Sequence, residues 1–154
     1  MPADEIQEQV FKKTVVIAAP VDEMWKKLTT LADMKVWMSE AVIEIVSDFE
    51  VGSPINIRGQ LYKTPFDNFG TILAFDKERR FCYEHLSSLS RLPFIPANCS
   101  VINFDLVTLG NSTEVTLTIT NFPTDAIYKH LAFYWNVTLV LFKKFVEGTS
   151  LSSS

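Results

Sequence analysis

A long amphipathic stretch at residues 124–147, which follows Pro123 and a nearly unbroken run of strand-like segments, constrains the fold most. Its apolar residues recur at the spacing of three and four residues that is typical of a helix. At about 1.5 Å per residue such a helix spans roughly 35 Å. This is about the length of a curved antiparallel sheet, so we expect the helix to lie across one and to cover a cavity.

The rest of the chain reads mainly as strands. Residues 9–18 predict a first strand, Pro20 suits the first turn of a short helix, and residues 31–38 predict a second short helix or turn. Six segments with a period of two then predict an antiparallel meander at residues 41–48, 54–63, 66–76, 79–87, 99–109 and 112–122. The expected fold class is α+β, with a seven-stranded curved antiparallel sheet wrapped around the C-terminal helix and two short helices after the first strand.

Composition limits the domain count and the partners. With 154 residues, of which 47% are hydrophobic and 21% charged, the chain is expected to form one domain over residues 1–154, with a core at about 9–147 and a flexible tail at 148–154. The net charge of -4 and the scattered basic pairs argue against nucleic acid as a partner. No secretory signal or stretch of roughly 20 apolar residues is evident, so we expect a cytoplasmic protein without a membrane span.

Several motifs occur in an order typical of one superfamily. They are IAAPVDEMWKKLTT, EVGSPINI, GTILAFDKERRFCYEH and TEVTLTITNFP, the last just before the helix that contains Trp135. Over about residues 9–147 the chain resembles the START-like, or SRPBCC, superfamily with its helix-grip fold. It resembles most the branch named after activators of the heat-shock protein 90 ATPase. The resemblance implies a hydrophobic tunnel between sheet and helix, used across the superfamily for lipids, sterols, hormones and polyketides, whereas most members of this branch have no assigned reaction.

Alternation along the strands and the helix predicts which side chains line the cavity. The expected lining residues are Tyr83, His85, Leu117, Ile119, Asn121, Tyr134, Thr138 and Phe142. His85 could act as a general base or orient a ligand carbonyl, or it could be hydrogen-bonded within the wall. Asn121 could hold a polar group of the ligand, or it could cap the start of the final helix.

The order of the strands predicts an entrance at one end of the sheet. Phe66, Phe94 and Ile95 lie in or near the two loops that should meet there, at residues 63–66 and 88–98. We expect them to act as lid residues over a bound ligand. The alternative is simple packing against the start of the helix.

A second apolar strip, formed by Phe133, Val137 and Val140, lies beside the solvent face of the helix. Leaving these side chains in water forgoes about 1.5–3 kcal/mol each. The strip therefore predicts a homodimer contact, or cover by the region around Trp37.

Motifs for catalysis or cofactor binding are not found. The sequence contains no GxGxxG, P-loop, GxSxG or HExxH pattern, and its two histidines and two cysteines are poorly placed for zinc. We expect no catalytic residues, cofactor or metal, and interpret the chain as a non-catalytic binding protein for an apolar or amphipathic small molecule, lipid-like or aromatic. One alternative is a polyketide cyclase or hydrolase-like enzyme that uses His85 or a cavity tyrosine. Another is a module that binds a chaperone ATPase.

Overall fold

The computed structural model describes residues 9–38, 43–61 and 63–152. In chain order its elements are β1 (Phe11–Ile17), α1 (Val21–Leu28), α2 (Leu31–Trp37), β2 (Glu44–Ser47), β3 (Ile55–Leu61), β4 (Thr64–Phe69), β5 (Ile72–Asp76), β6 (Arg80–Ser87), β7 (Ser100–Leu109), β8 (Ser112–Thr120) and α3 (Asp125–Ser152). Two short 3₁₀ turns, Ser88–Ser90 and Pro96–Asn98, lie between β6 and β7.

The strands form one antiparallel sheet in the order β1-β8-β7-β6-β4-β3-β2, and β5 also pairs with β6. The predicted α+β class, with a curved sheet around a long C-terminal helix, is confirmed. Alternation along β8 is also confirmed, because Val115, Leu117 and Ile119 are fully buried while the residues between them are partly exposed. One face of the sheet therefore forms the core.

The prediction of a single strand over residues 66–76 was wrong, so the sheet has eight strands instead of seven. The segment divides at Gly70 into β4 and β5, which pair with successive parts of β6. A Cβ atom at Gly70 would lie 1.9 Å from the carbonyl oxygen of Glu84. Only glycine permits this close approach of two backbones.

Strands β4 and β6 pair over only a short length. The pairs are Asn68 with Ser87 and Phe69 with Leu86. By contrast, the β7–β8 pairing runs without interruption from Val101 with Thr120 to Leu109 with Ser112. The part of the sheet formed by β2, β3 and β4 is therefore joined to β6 along a narrow seam of two residue pairs. Beside this seam, backbone hydrogen bonds link the segment before β3 to β5.

Helix α3 runs along β1, as three polar contacts between them show. Lys13 Nζ donates to Asn136 Oδ1 at 2.7 Å, Lys143 Nζ donates to the Val16 carbonyl at 2.7 Å, and the Ala18 amide donates to Glu147 at 2.9 Å. The buried face of the helix consists of Leu131, Trp135, Thr138, Leu139, Phe142 and Val146. Leu141 is 40% exposed, and the helix continues to Ser152.

The end of α2 packs against α3. Trp37 lies 4.7 Å from Phe142 and 6.2 Å from Trp135 between ring centroids, and its Nε1 donates to the Lys27 carbonyl at 3.0 Å. Aromatic contacts of this kind contribute about 0.5–1.5 kcal/mol beyond the area that they bury. They hold the end of α2 against the middle of α3.

Candidate functional site

A cavity of about 210 Å³ lies between the N-terminal half of α3 and the strands β3, β4 and β6. Most of its lining surface is apolar, although about half of the lining residues carry a polar group. The lining residues are Met38, Ile43, Ile57, Gln60, Phe66, Asn68, Tyr83, His85, Ser87, Leu89, His130, Leu131, Tyr134 and Trp135.

Strand alternation and helix periodicity bring these residues together. Tyr83 and His85 are two positions apart on β6 and so share a face, as do Phe66 and Asn68 on β4. On α3, Leu131 and Tyr134 are three positions apart and lie on neighbouring parts of one side. The cavity is thus built on regular elements, which position side chains more precisely than loops do.

Tyr83 is buried and His85 is partly buried, and neither side chain has a hydrogen-bond partner among the described residues. Tyr83 is only 2% exposed. Burial raises the pKa of Tyr83 well above its ordinary value. Burial, together with the nearby His130, lowers the pKa of His85 to about 4. Both side chains are therefore neutral near pH 7, and each can donate and accept a hydrogen bond.

Tyr134, in the same cavity, differs from Tyr83 because its hydroxyl donates to the Met38 carbonyl. Burial raises the pKa of Tyr134 to about 12, against the opposing effect of a hydrogen bond with Thr138. Thr138 is itself buried and does not line the cavity. Tyr134 therefore ties α3 to the end of α2, in addition to lining the cavity.

Like Thr138, three further predicted lining residues lie in the packed core instead. Leu117, Ile119 and Phe142 are fully buried but do not line the cavity. Parity placed them correctly on inward faces, but β8 is separated from β6 by β7 and lies beside β1. There α3 runs along β1 and packs on this part of the sheet, whereas the cavity lies beside β3, β4 and β6.

Asn121 does not line the cavity either. Its amide donates to the carbonyl oxygens of Cys99 at 2.7 Å and Ala97 at 3.1 Å, and it adopts a left-handed backbone with φ of 61°. The parity argument required β8 to continue through Asn121, but the strand ends at Thr120. The side chain therefore fastens the turn before β7 to the chain that leads into α3.

The three predicted entrance residues have different positions. Phe66 lines the cavity, whereas Phe94 and Ile95 do not and are 50% and 48% exposed. The ring of Phe94 lies 5.6 Å from that of Phe69 on β4. Their role as a lid remains a prediction.

Sequence reasoning missed most of the polar lining. Asn68 could have been found, because it has the same parity as Phe66 on one strand. Gln60 and His130 could not have been found in this way. Strand alternation places Gln60 on the face opposite to the buried Ile57, and helical periodicity did not place His130 on the buried side of the helix. Whether these two side chains reach the cavity depends on how strands β2, β3 and β4 are oriented against α3. Contacts between residues distant in sequence determine that orientation.

The second apolar strip on α3 is largely exposed. Phe133 is 75% exposed and Val137 is 45% exposed, whereas Val140 is partly buried. In residues 9–38, 43–61 and 63–152 no helix is long and apolar enough to cross a membrane. The same ranges contain no cluster of three or more His, Cys, Asp or Glu side chains that could hold a metal ion.

Several solved structures share this architecture. The solution structure of ChR145 from Cytophaga hutchinsonii is 31% identical, with a TM-score of 0.78 over 94% of this chain and 99% of that one. The Aha1 dimer from Colwellia psychrerythraea is 23% identical, with a TM-score of 0.68 over 90% and 96%. DynU16, a protein from the dynemicin biosynthetic locus, is 14% identical, with a TM-score of 0.69 over 92% of this chain and 48% of that one. The last two show the fold alone.

The family profile described as Activator of Hsp90 ATPase homolog 1-like protein matches residues 18–147. No curated protein sequence matches the chain. The resemblance inferred from the sequence motifs is thereby confirmed, both for the superfamily and for the branch. The chain belongs to the activator of Hsp90 ATPase homolog 1-like family of START-like proteins.

Proposed function

We propose that this protein binds a small apolar or amphipathic molecule, without converting it, in the cavity between α3 and strands β3, β4 and β6. The observation that carries the proposal is the cavity itself, about 210 Å³ in volume, with a lining surface that is mostly apolar and polar groups on about half of its lining residues. A cavity of roughly 150 Å³ already accommodates benzene. Burial of ligand carbon at about 25 cal/mol per Å² would supply most of the affinity.

The surroundings of His85 favour binding over a cyclase or hydrolase reaction. A general base works best when its pKa lies near the working pH, whereas burial lowers the pKa of His85 to about 4. In the part of the chain that the structure describes, no carboxylate lines the cavity to orient the imidazole or raise its pKa. These properties suit a neutral hydrogen-bonding group better than a proton acceptor.

Cavity filling tests the proposal. Leu131 is buried against the cavity, so Leu131→Trp adds side-chain volume where the ligand would lie. We expect calorimetric titration with toluene to show binding to the wild type and a loss of at least tenfold in affinity for this variant. Leu73→Trp is the matched control, because Leu73 is 41% exposed on β5 and does not line the cavity. Equal toluene binding by all three proteins would contradict the proposal.

A homodimer contact through Phe133, Val137 and Val140 is a second proposal. It is supported by the exposure of Phe133 and Val137, and a structural neighbour, Aha1 from Colwellia psychrerythraea, is a dimer. Light scattering coupled to gel filtration should give a dimer mass for the wild type and a monomer mass for Phe133→Ser. The control Leu73→Ser should remain dimeric, and a wild type that is monomeric at all concentrations would overturn this proposal.

A further inference from the structure

The polar groups of the cavity include no carboxylate, ammonium or guanidinium group among the described residues. They come from tyrosine, histidine, amide and hydroxyl side chains, and no Asp, Glu, Lys or Arg occurs among the described lining residues. The residues concerned are Gln60, Asn68, Tyr83, His85, Ser87, His130 and Tyr134. An ionised ligand would lose its hydration on entry and find no counter-ion, which strongly disfavours its binding.

Five of these groups, Gln60, Asn68, Tyr83, His85 and His130, have no hydrogen-bond partner among the described residues. Of these five, Tyr83 is buried, His85 and Asn68 are partly buried, and Gln60 and His130 are exposed. The Tyr134 hydroxyl donates to the Met38 carbonyl, and the Ser87 hydroxyl accepts from the Leu89 amide at 3.2 Å. In the described ranges no residue pairs in this way with the Tyr83 hydroxyl or the His85 imidazole. Among the described residues, Ser100 Oγ is the one fully buried side-chain polar atom without a partner, so the Tyr83 hydroxyl and the His85 imidazole are accessible from the cavity. A molecule in the cavity can therefore form hydrogen bonds with both.

The placement of Tyr83 and His85 suits one polar head group. They are two residues apart on β6, so their Cα atoms are separated by roughly 6.5–7 Å along one face. A hydroxyl and a neutral imidazole each offer one donor and at least one acceptor. A ligand group that also combines donor and acceptor, such as an amide or an alcohol, matches both, whereas a carboxylate only accepts.

We propose that the cavity selects an uncharged ligand of about the size of a substituted benzene ring, and that Tyr83 and His85 hydrogen-bond its polar end. The inference rests on the proposed binding function and adds the charge and the head group of the ligand. Ring size follows from the cavity volume of about 210 Å³. Neutrality follows from the absence of Asp, Glu, Lys and Arg among the described lining residues.

Three probe molecules of similar size test the charge and the head group of the ligand separately. Toluene has no polar head, benzamide has a neutral one with donor and acceptor, and benzoate is nearly isosteric with benzamide but anionic. In calorimetric titrations at pH 7.5 we expect benzamide to bind at least fivefold more tightly than toluene and at least tenfold more tightly than benzoate.

Tyrosine variants assign the head-group contact. Tyr83→Phe should weaken benzamide binding about fivefold and leave toluene binding unchanged. Because the Tyr83 hydroxyl has no described protein partner, the melting temperature of this variant without ligand should not fall. Tyr128→Phe is the matched control, since Tyr128 packs against Phe122 at the start of α3 and does not line the cavity. It should leave the affinities for all three probes unchanged.

The possible failures can be told apart. If toluene binds and benzoate binds as tightly as benzamide, the inference is overturned while the proposed function stands. Unchanged benzamide affinity in Tyr83→Phe would overturn the assignment of the head-group contact. If none of the three probes binds the wild type, the proposed function itself fails, and the inference fails with it.

Discussion

Replacing Gly70 with alanine tests whether the break between β4 and β5 is imposed by the close contact of two backbones. The Cβ of alanine would lie 1.9 Å from the Glu84 carbonyl oxygen, whereas Cβ contacts below 3.0 Å are essentially never observed. The two segments would therefore have to separate by at least about 1.1 Å, the difference between these distances. Gly70 does not have a positive φ, so the cost comes from contact and not from backbone conformation.

The size of the effect follows from the hydrogen bonds on either side of this contact. The Gly70 carbonyl accepts from the Ile55 amide at 3.0 Å, and the Thr71 carbonyl accepts from the Glu84 amide at 2.9 Å. Losing a bond so that a buried backbone group is left unpaired costs about 1–3 kcal/mol. We therefore expect Gly70→Ala to lower the free energy of unfolding by about 3 kcal/mol or more. For a protein of this length that corresponds to a fall in melting temperature of about 6–12 °C.

Urea denaturation followed by far-UV circular dichroism measures this difference. The control is Gly148→Ala in α3, where an added Cβ would meet no atom within 4 Å. Because alanine is favoured over glycine within a helix, the control should be unchanged or more stable by up to about 1 kcal/mol. If the stability of Gly70→Ala lay within about 0.5 kcal/mol of the wild type, as for an ordinary surface substitution, the contact would not be what divides the strand.

Three further substitutions test individual contacts. Tyr134→Phe removes the donor to the Met38 carbonyl and should lower the free energy of unfolding by about 1–2 kcal/mol in urea, whereas Tyr128→Phe should have a smaller effect. Hydrogen bonds from Lys143 and the Ala18 amide lower the pKa of Glu147 below its ordinary value of 4.5. These bonds therefore stabilise the folded protein above pH 4.5, and this stabilisation is lost as the pH falls through the lower pKa of Glu147 in the folded protein. Glu147→Gln should therefore melt below the wild type at pH 7, and the gap should close toward pH 3. Asn121→Gly retains the left-handed backbone but loses the amide contacts, so limited proteolysis within residues 88–98 should be faster than in the wild type; an unchanged rate would contradict this role of the amide.

Local patterns predicted the elements well, while the position of the cavity depended on contacts distant in sequence. Alternation identified the buried residues of β8, and periodicity identified the long helix. The break at Gly70 was missed because glycine within an apolar alternating segment does not by itself show that another backbone passes close by. Asn121 was misplaced because parity was extended one residue past the end of β8. Leu117 and Ile119 point inward as predicted, but only the strand order shows that α3 packs on this part of the sheet.

Because the seam between β4 and β6 is narrow, the dynamics of β4 should depend on whether the cavity is occupied. Phe66 and Asn68 belong to one side of this seam, and Tyr83 and His85 to the other, so a molecule that touches all four bridges the two sides. Its presence would add a noncovalent link between strands β4 and β6, which are joined by only two residue pairs. Amide hydrogens of β4 should therefore exchange with solvent more slowly when a ligand occupies the cavity, while those of β7 and β8 keep their exchange rates. Hydrogen exchange in β4 would then report whether the cavity is occupied.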